Sequence, residues 1–250
     1  SRYYDPLTGR FLNADVYADT QSGTPLSTNM FAYCENNAIN KSDDEGNDAW
    51  WIQSPNSANG KGHTSLLLKE KSGYWWYFYW GDRSVQLLFI GTSSLREITG
   101  KVRAQINYYN RNYSNKFGKL YYYEEYTRAI QFSGHFENCI KEIKKYISNN
   151  QYSYAFSGIG KRKVYVRFRY PSEKYKGKYR PYSHILTTND SYSLGFNNCV
   201  QKSIFYLKYG ELSSRNKAFH DELNNFHVIP NNAIKKFREF GKWVTYSYYS

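Results

Sequence analysis

The chain has 250 residues, of which 34 are Lys or Arg and 21 are Asp or Glu, giving a formal net charge of +13. Its three cysteines are too few and too scattered for a disulfide framework or a structural zinc site, and no apolar run approaches the ~18–20 residues of a membrane span. No signal peptide and no initiator Met begins the sequence, so we expect a fragment of a longer polypeptide. The 28 tyrosines predict a largely aromatic core despite a mean hydropathy of −0.78.

Charge is unevenly distributed along the chain. Residues 1–47 contain three basic and seven acidic residues, a net charge of −4, which leaves +17 for residues 48–250. This break predicts two parts, an N-terminal segment (1–47) and a C-terminal domain (48–250). A basic domain favours acidic partners, such as nucleic acid, an anionic membrane or wall, or an acidic protein, without choosing among them.

The N-terminal segment carries two specific motifs, RYYDPLTGRFL at 2–12 and NMFAYCENN at 29–37. They resemble the Rhs-repeat-associated core, which ends the YD-repeat shell of polymorphic toxins. The resemblance implies an irregular, β-containing segment that closes a shell in cis, followed by a variable toxin domain. In some relatives, aspartates near the end of this segment release the toxin by self-cleavage. Because Asp44 stands where that family has Pro, we interpret Asp43 as part of a linker turn.

The C-terminal domain reads as an α+β fold that begins with an antiparallel meander. Strands are predicted over His63–Lys69, Tyr74–Trp80 and Val85–Ile90, where aromatic and branched residues lie between glycine turns. Residues 93–120 are ambiguous, with a helix over Leu95–Tyr109 and a loop after it, and residues 120–132 are strand-like. Further predicted elements are a helix over 136–147, strands Val164–Phe168 and Tyr182–Thr188, and helices over 199–207, Ala218–Phe226 and Ala233–Phe240.

Cys199 is the candidate nucleophile. It follows the turn residues Asn197 and Asn198 and begins a helix whose apolar residues fall at Val200, Ile204 and Leu207. A thiol at a helix N-terminus lies near unpaired N–H groups, which favour the reactive thiolate. The alternative is an inert buried cysteine. We assign that role to Cys139, which lies inside an apolar helical stripe.

His63 is the candidate proton acceptor, because it begins a strand directly after a glycine. The group that would orient its imidazole is left open between Asp82, Tyr77 and Tyr79. We read His135, His220 and His227 as exposed or hydrogen-bonded residues, and keep His184 as a weaker candidate. No metal-ligand spacing and no phosphate-binding glycine loop is present, so we expect no metal and no cofactor.

Together, the histidine strand at 62–68 and the Asn-Cys step at 198–199 resemble the circularly permuted papain-like fold of NlpC-like peptidases and lecithin:retinol acyltransferases. The resemblance implies an antiparallel sheet packed with helices. It also implies a peptidase, amidase, deamidase or acyltransferase that attacks an amide, ester or thioester. Cys199 would then be the nucleophile and His63 the proton shuttle, while the Cys199 N–H and Asn198 would stabilise the oxyanion.

Two other function classes stay open at this point. A nuclease is suggested by the +17 charge and the basic, aromatic stretch at 161–170, with His135 or His184 for acid–base work. A non-enzymatic membrane- or protein-binding module is suggested by the aromatic hairpin at 74–80. The expected partners of a toxin are a cognate, acidic immunity protein and a protein or other acyl substrate. We expect the protein to be secreted or delivered by a bacterial secretion system and to act in the target cell.

Overall fold

The computed structural model describes residues 4–5, 10–11, 49–57, 60–81, 84–91, 95–121, 126–150, 164–171, 181–187, 198–212, 216–227 and 229–245. Contacts divide the chain into two compact units, Ser1–Gly46 and Asn47–Ser250. In the first unit, β1 (Tyr4–Asp5) pairs antiparallel with β2 (Arg10–Phe11). Asp43 and Cys34 lie outside the described residues.

The second unit is built on a sheet whose eight described strands are all antiparallel to their neighbours. In chain order these strands are β3 (Ala49–Ser54), β4 (His63–Lys69), β5 (Trp75–Trp80), β6 (Ser84–Gly91), β7 (Arg128–Phe132), β9 (Val164–Phe168), β10 (Ser183–Thr187) and β12 (Lys242–Thr245). Their spatial order is β12-β7-β3-β4-β5-β6-β10-β9. The short strands β8 (Gly134–His135) and β11 (Glu211–Leu212) pair separately.

Helices cover both faces of the sheet. They are α1 (Leu95–Phe117), α2 (Glu137–Asn149), α3 (Cys199–Leu207), α4 (Asn216–Leu223) and α5 (Pro230–Lys236), with a 3₁₀ turn at Arg238–Phe240. Residues of α2 to α5 share one core cluster with alternate sheet residues, which we name the α3 face, and residues of α1 share the other, the α1 face. None of the helices in the described ranges is long and apolar enough to cross a bilayer.

The α+β architecture with a large antiparallel sheet agrees with the sequence prediction, and the papain-like arrangement stays a prediction. The meander of β4, β5 and β6 forms where strands were predicted. Nearly every side chain of these three strands is buried, because helices cover both of their faces. They therefore read as continuous apolar or aromatic runs rather than as alternating ones.

Several predictions of secondary structure differ from the structure, in extent or by omission. The loop expected after Tyr109 is helical, because Tyr113 and Phe117 continue a four-residue spacing and pack on the α1 face. Among the described residues of the strand expected over 120–132, only those of β7 are in a strand. The edge strand β12 was not predicted at all, since its pairing with β7 joins residues more than 100 positions apart.

Gly62 positions the start of β4. Its φ is +87°, in the left-handed region, and its N–H donates to Ser57 O at 2.9 Å. A Cβ at this position would lie 2.5 Å from Oδ1 of Asn231 on α5. The glycine therefore permits both the turn and the close approach of α5.

We expect Gly62→Ala to lower the free energy of unfolding by more than Gly73→Ala, its matched control. Gly73 has a similar φ of +85° but open space around its Cβ position, so its substitution costs about 1–2 kcal/mol from the backbone alone. Gly62→Ala should cost about 1–3 kcal/mol more, because Asn231 must move and its hydrogen bonds to Gln53, Pro55 and Gly60 are disturbed. Urea denaturation measures both; equal losses would contradict the close approach.

Candidate active site

Cys199 is the first residue of α3, in contact with the sheet. Asn198 caps the helix: its Oδ1 accepts hydrogen bonds from the N–H groups of Val200 at 3.0 Å and Gln201 at 3.1 Å. The thiol is buried, with 3% of the residue exposed, and α3 packs against β4. The sequence prediction that Cys199 begins a helix is confirmed.

Thr64, on β4, is the sheet residue that faces the Cys199 sulfur. Burial raises the thiol pKa above its usual value, and four groups act in the opposite direction: the Thr64 N–H, the Thr64 hydroxyl, and the N–H groups of Val200 and of Cys199 itself. The Thr64 hydroxyl makes no hydrogen bond of ordinary length and angle with any described residue. It is therefore a nearby hydroxyl that can donate a hydrogen bond when the sulfur becomes a thiolate.

Cys139 shows what a purely structural cysteine looks like in the same chain. It lies fully buried in the first turn of α2, and burial raises its thiol pKa well above the usual value. Only its own N–H acts against that shift. The prediction that Cys139 is a core residue is confirmed, and the additional donors around Cys199 distinguish the two thiols.

His63 does not face Cys199. Consecutive residues of a strand point to opposite faces, and Thr64 points to the α3 face, so the His63 side chain lies on the α1 face. There its ring lies 5.0 Å from the ring of Tyr79 and 6.5 Å from that of Tyr126. The predicted Cys199–His63 dyad is therefore not assembled in this structure, and the pleat of β4 is the physical reason.

The His63 imidazole belongs to a buried hydroxyl network instead. Its Nε2 is 3.3 Å from Ser65 Oγ, which lies 2.8 Å from the Tyr126 hydroxyl and 3.3 Å from that of Tyr77; the two tyrosine hydroxyls are 2.7 Å apart. Burial lowers the pKa of His63 to about 3. The ring is therefore neutral at physiological pH.

The structure describes two of the three residues that were candidates to orient the His63 imidazole. Tyr79 and Tyr77 lie near His63 on the α1 face, away from Cys199. Asp82 lies outside the described residues, as do the loop residues 191–197 before Asn198. The oxygen of the Asn198 side chain is occupied by the helix cap.

Two residues connected to Thr64 were missed in the sequence analysis, Gln53 and its partner Asn231. Gln53 on β3 stands directly opposite Thr64 in the β3–β4 register, so its side chain shares the α3 face. Its Nε2 donates to Asn231 Oδ1 at 2.6 Å. Only the register could have revealed this, because Gln53 and Asn231 are 178 positions apart.

His184 lies apart from Cys199, on β10. Its Nδ1 is 2.6 Å from the Tyr165 hydroxyl, and its pKa is lowered to about 4 by burial and by the cations Lys144 and Arg167. His135 is exposed in the β8–β11 ribbon. Among the residues that the structure describes, no three His, Cys, Asp or Glu side chains are grouped so as to hold a metal ion.

Comparisons of the chain with protein families, with curated proteins and with solved structures found no match.

We expect Thr64→Val to shift the pH dependence of Cys199 alkylation to higher pH, by about 0.5–1 pH unit, because the variant loses a donor to the thiolate. The rate of iodoacetamide labelling is measured against pH in a chain whose Cys34 and Cys139 are replaced by Ala. Thr64→Ser keeps the hydroxyl and is the matched control. A Thr64→Val profile that coincides with that of Thr64→Ser would remove Thr64 from the site.

Proposed function

We propose that residues 47–250 form a toxin domain that acts by thiol chemistry on an acyl compound, with Cys199 as the nucleophile. The observation that carries this proposal is the placement of the Cys199 sulfur at the first turn of α3, among the N–H and hydroxyl groups of Thr64 and the N–H of Val200. Donors around a sulfur favour formation of the thiolate, which is the form that attacks a carbonyl carbon. The resemblance of the Asn-Cys step, which begins a helix here, to the corresponding step of permuted papain-like enzymes also supports it.

The chemistry would follow the usual course of acyl transfer. The Cys199 sulfur forms a bond to the carbonyl carbon, and the bond from that carbon to the leaving nitrogen, oxygen or sulfur breaks. The electron pair of the broken bond leaves with that atom, which takes up the thiol proton. Water or another acceptor then attacks the thioester and regenerates the thiol. The α1-face position of His63 gives it no part in this proton transfer, and its network supports the sheet instead.

The biological setting is proposed from the N-terminal motifs. Their resemblance to the Rhs-repeat-associated core supports a toxin carried at the end of a YD-repeat shell and delivered into a target cell by a bacterial secretion system. A neutralising immunity protein would then be encoded with it. The +17 charge of residues 48–250 supports an acidic surface on that partner.

We expect expression of the 250-residue chain to arrest bacterial growth, and Cys199→Ala to relieve that arrest, because loss of a nucleophile typically lowers kcat by many orders of magnitude. Cys139→Ala is the matched control: it also removes a buried thiol, but one without the additional donors, and it should stay toxic. Colony counts after induction measure the effect. Full toxicity of a folded Cys199→Ala protein would refute the thiol function.

A phosphodiester-cleaving toxin is the second candidate, favoured by the surroundings of His184. The imidazole and the Tyr165 hydroxyl lie within hydrogen-bond distance, Arg167 stands opposite His184 in the β9–β10 register, and Lys144 lies over the nearby Trp76 ring at 3.8 Å. These cations could hold a phosphate, whose charge would raise the lowered pKa of His184 toward the range useful for acid–base catalysis.

Nucleic-acid integrity separates the two candidates. We expect RNA and DNA, extracted shortly after induction and examined on gels, to stay intact while growth stops, since the thiol function leaves phosphodiesters untouched. Cleavage that His184→Ala abolishes and His135→Ala preserves would replace the thiol function with the phosphodiester one. His135 is the matched control because it is an exposed histidine outside the cationic cluster.

A further inference from the structure

A chain of hydrogen bonds fixes the orientation of the Gln53 side chain. Asn231 Nδ2 donates to the carbonyl oxygens of Pro55 at 3.2 Å and Gly60 at 2.8 Å. Because carbonyl oxygens only accept, the Asn231 nitrogen must face them and its Oδ1 must face Gln53. Gln53 must then present its own nitrogen to Asn231, at 2.6 Å. The two ends of a side-chain amide are usually hard to distinguish, but here the network leaves one arrangement, with Gln53 Oε1 turned away from Asn231.

Gln53 Oε1 is a buried acceptor with no hydrogen-bond partner among the described residues. Gln53 is 0% exposed, and an unpaired carbonyl oxygen at such a position costs about 1–3 kcal/mol. Thr64, which stands opposite it on the same face, is 1% exposed and also has an unpaired oxygen. A residue with an unpaired acceptor and a residue with an unpaired hydroxyl thus stand opposite each other on the α3 face, and the hydroxyl lies near the sulfur of Cys199.

This pair of groups matches one acyl class better than the others. A carboxamide presents a carbonyl oxygen, which can accept from the Thr64 hydroxyl in place of the sulfur, and an N–H, which can donate to Gln53 Oε1. An ester or a thioester has the carbonyl oxygen but no N–H, so it would leave Gln53 Oε1 unpaired. A site that pairs a substrate N–H discriminates strongly against analogues that lack it.

We propose that the Cys199 site binds a carboxamide, and that Gln53 Oε1 accepts a hydrogen bond from the amide N–H. This inference rests on the proposed thiol function and narrows its substrate from acyl compounds in general to amides. Gln53 is a specificity residue in this scheme, and Asn231 positions it. Hydrolysis would then break a C–N bond, with the thiol proton leaving on the nitrogen and water supplying the oxygen of the acid.

The test compares two alkylating probes, iodoacetamide and methyl iodoacetate, which react at the same carbon but differ in the presence of an N–H. Labelling of Cys199 is followed by intact mass spectrometry in the full chain with Cys34→Ala and Cys139→Ala. The ratio of the amide rate to the ester rate is divided by the same ratio for glutathione. We expect a normalised ratio of about 5 for the protein, the value of one ordinary hydrogen bond.

Gln53→Met should bring the normalised ratio to about 1, since it keeps the length of the side chain and removes the acceptor. Gln86→Met is the matched control. Gln86 is also 0% exposed with an unpaired Oε1, but it alternates with Val85 and Leu87 on β6 and so points to the α1 face. Its substitution should leave the ratio near 5.

Several results would overturn the proposal. A normalised ratio of 1 in the chain that keeps Gln53 would overturn it, and this result does not depend on whether Gln53→Met folds. A ratio that survives Gln53→Met, or that Gln86→Met also removes, would do so as well. These outcomes are distinct from failure of the thiol function, which is judged by the toxicity of Cys199→Ala and does not depend on probe selectivity.

Discussion

The register between β3 and β4 determines which side chains meet the first turn of α3. It places Gln53 opposite Thr64, and the pleat then directs both to the face that carries Cys199 while it directs His63 to the other. Gly62 directly precedes β4 and has a left-handed backbone conformation. It lies against Asn231, whose side chain connects α5 to the turn before β4. A shift of one residue in β4 would exchange the faces of His63 and Thr64 and, with them, the chemistry available to the thiol.

Both faces of this region bury polar groups, but in different ways. On the α1 face, His63, Ser65 and the hydroxyls of Tyr77 and Tyr126 are joined in one hydrogen-bonded network. On the α3 face, oxygens of Gln53 and Thr64 have no hydrogen-bond partner among the described residues. A satisfied network makes the sheet rigid, whereas unpaired groups favour a ligand that supplies the missing partners. Gln86 Oε1 on the α1 face is also unpaired within the described part of the chain, so it is the presence of unpaired oxygens near a thiol that makes us propose the active site beside Cys199.

Much of the fold follows from local patterns. The helical stripe of α2 and the start of α3 at Cys199 could be predicted, because residue spacing and capping residues act over a few positions. The face taken by His63 was not readable. β4 is buried on both sides, so its sequence lacks the polar–apolar alternation that would have shown whether His63 or Thr64 faces α3. Gln53 and Asn231 were missed for a related reason, since tertiary contacts alone bring them together.

Separation of the thiol from the imidazole determines the resting charge of the site. Burial raises the pKa of Cys199 and lowers that of His63, so each group favours its neutral form. In contact, a thiolate and an imidazolium would each lower the free-energy cost of burying the other's charge. The sheet between Cys199 and His63 prevents that pairing. The proposed nucleophile therefore rests as a thiol, and the donors of Thr64 and α3 would stabilise the thiolate that must form before the sulfur attacks. An amide that pairs with Gln53 and Thr64 would hold its carbonyl carbon beside that sulfur, so substrate binding and activation of the nucleophile would depend on the same two strands.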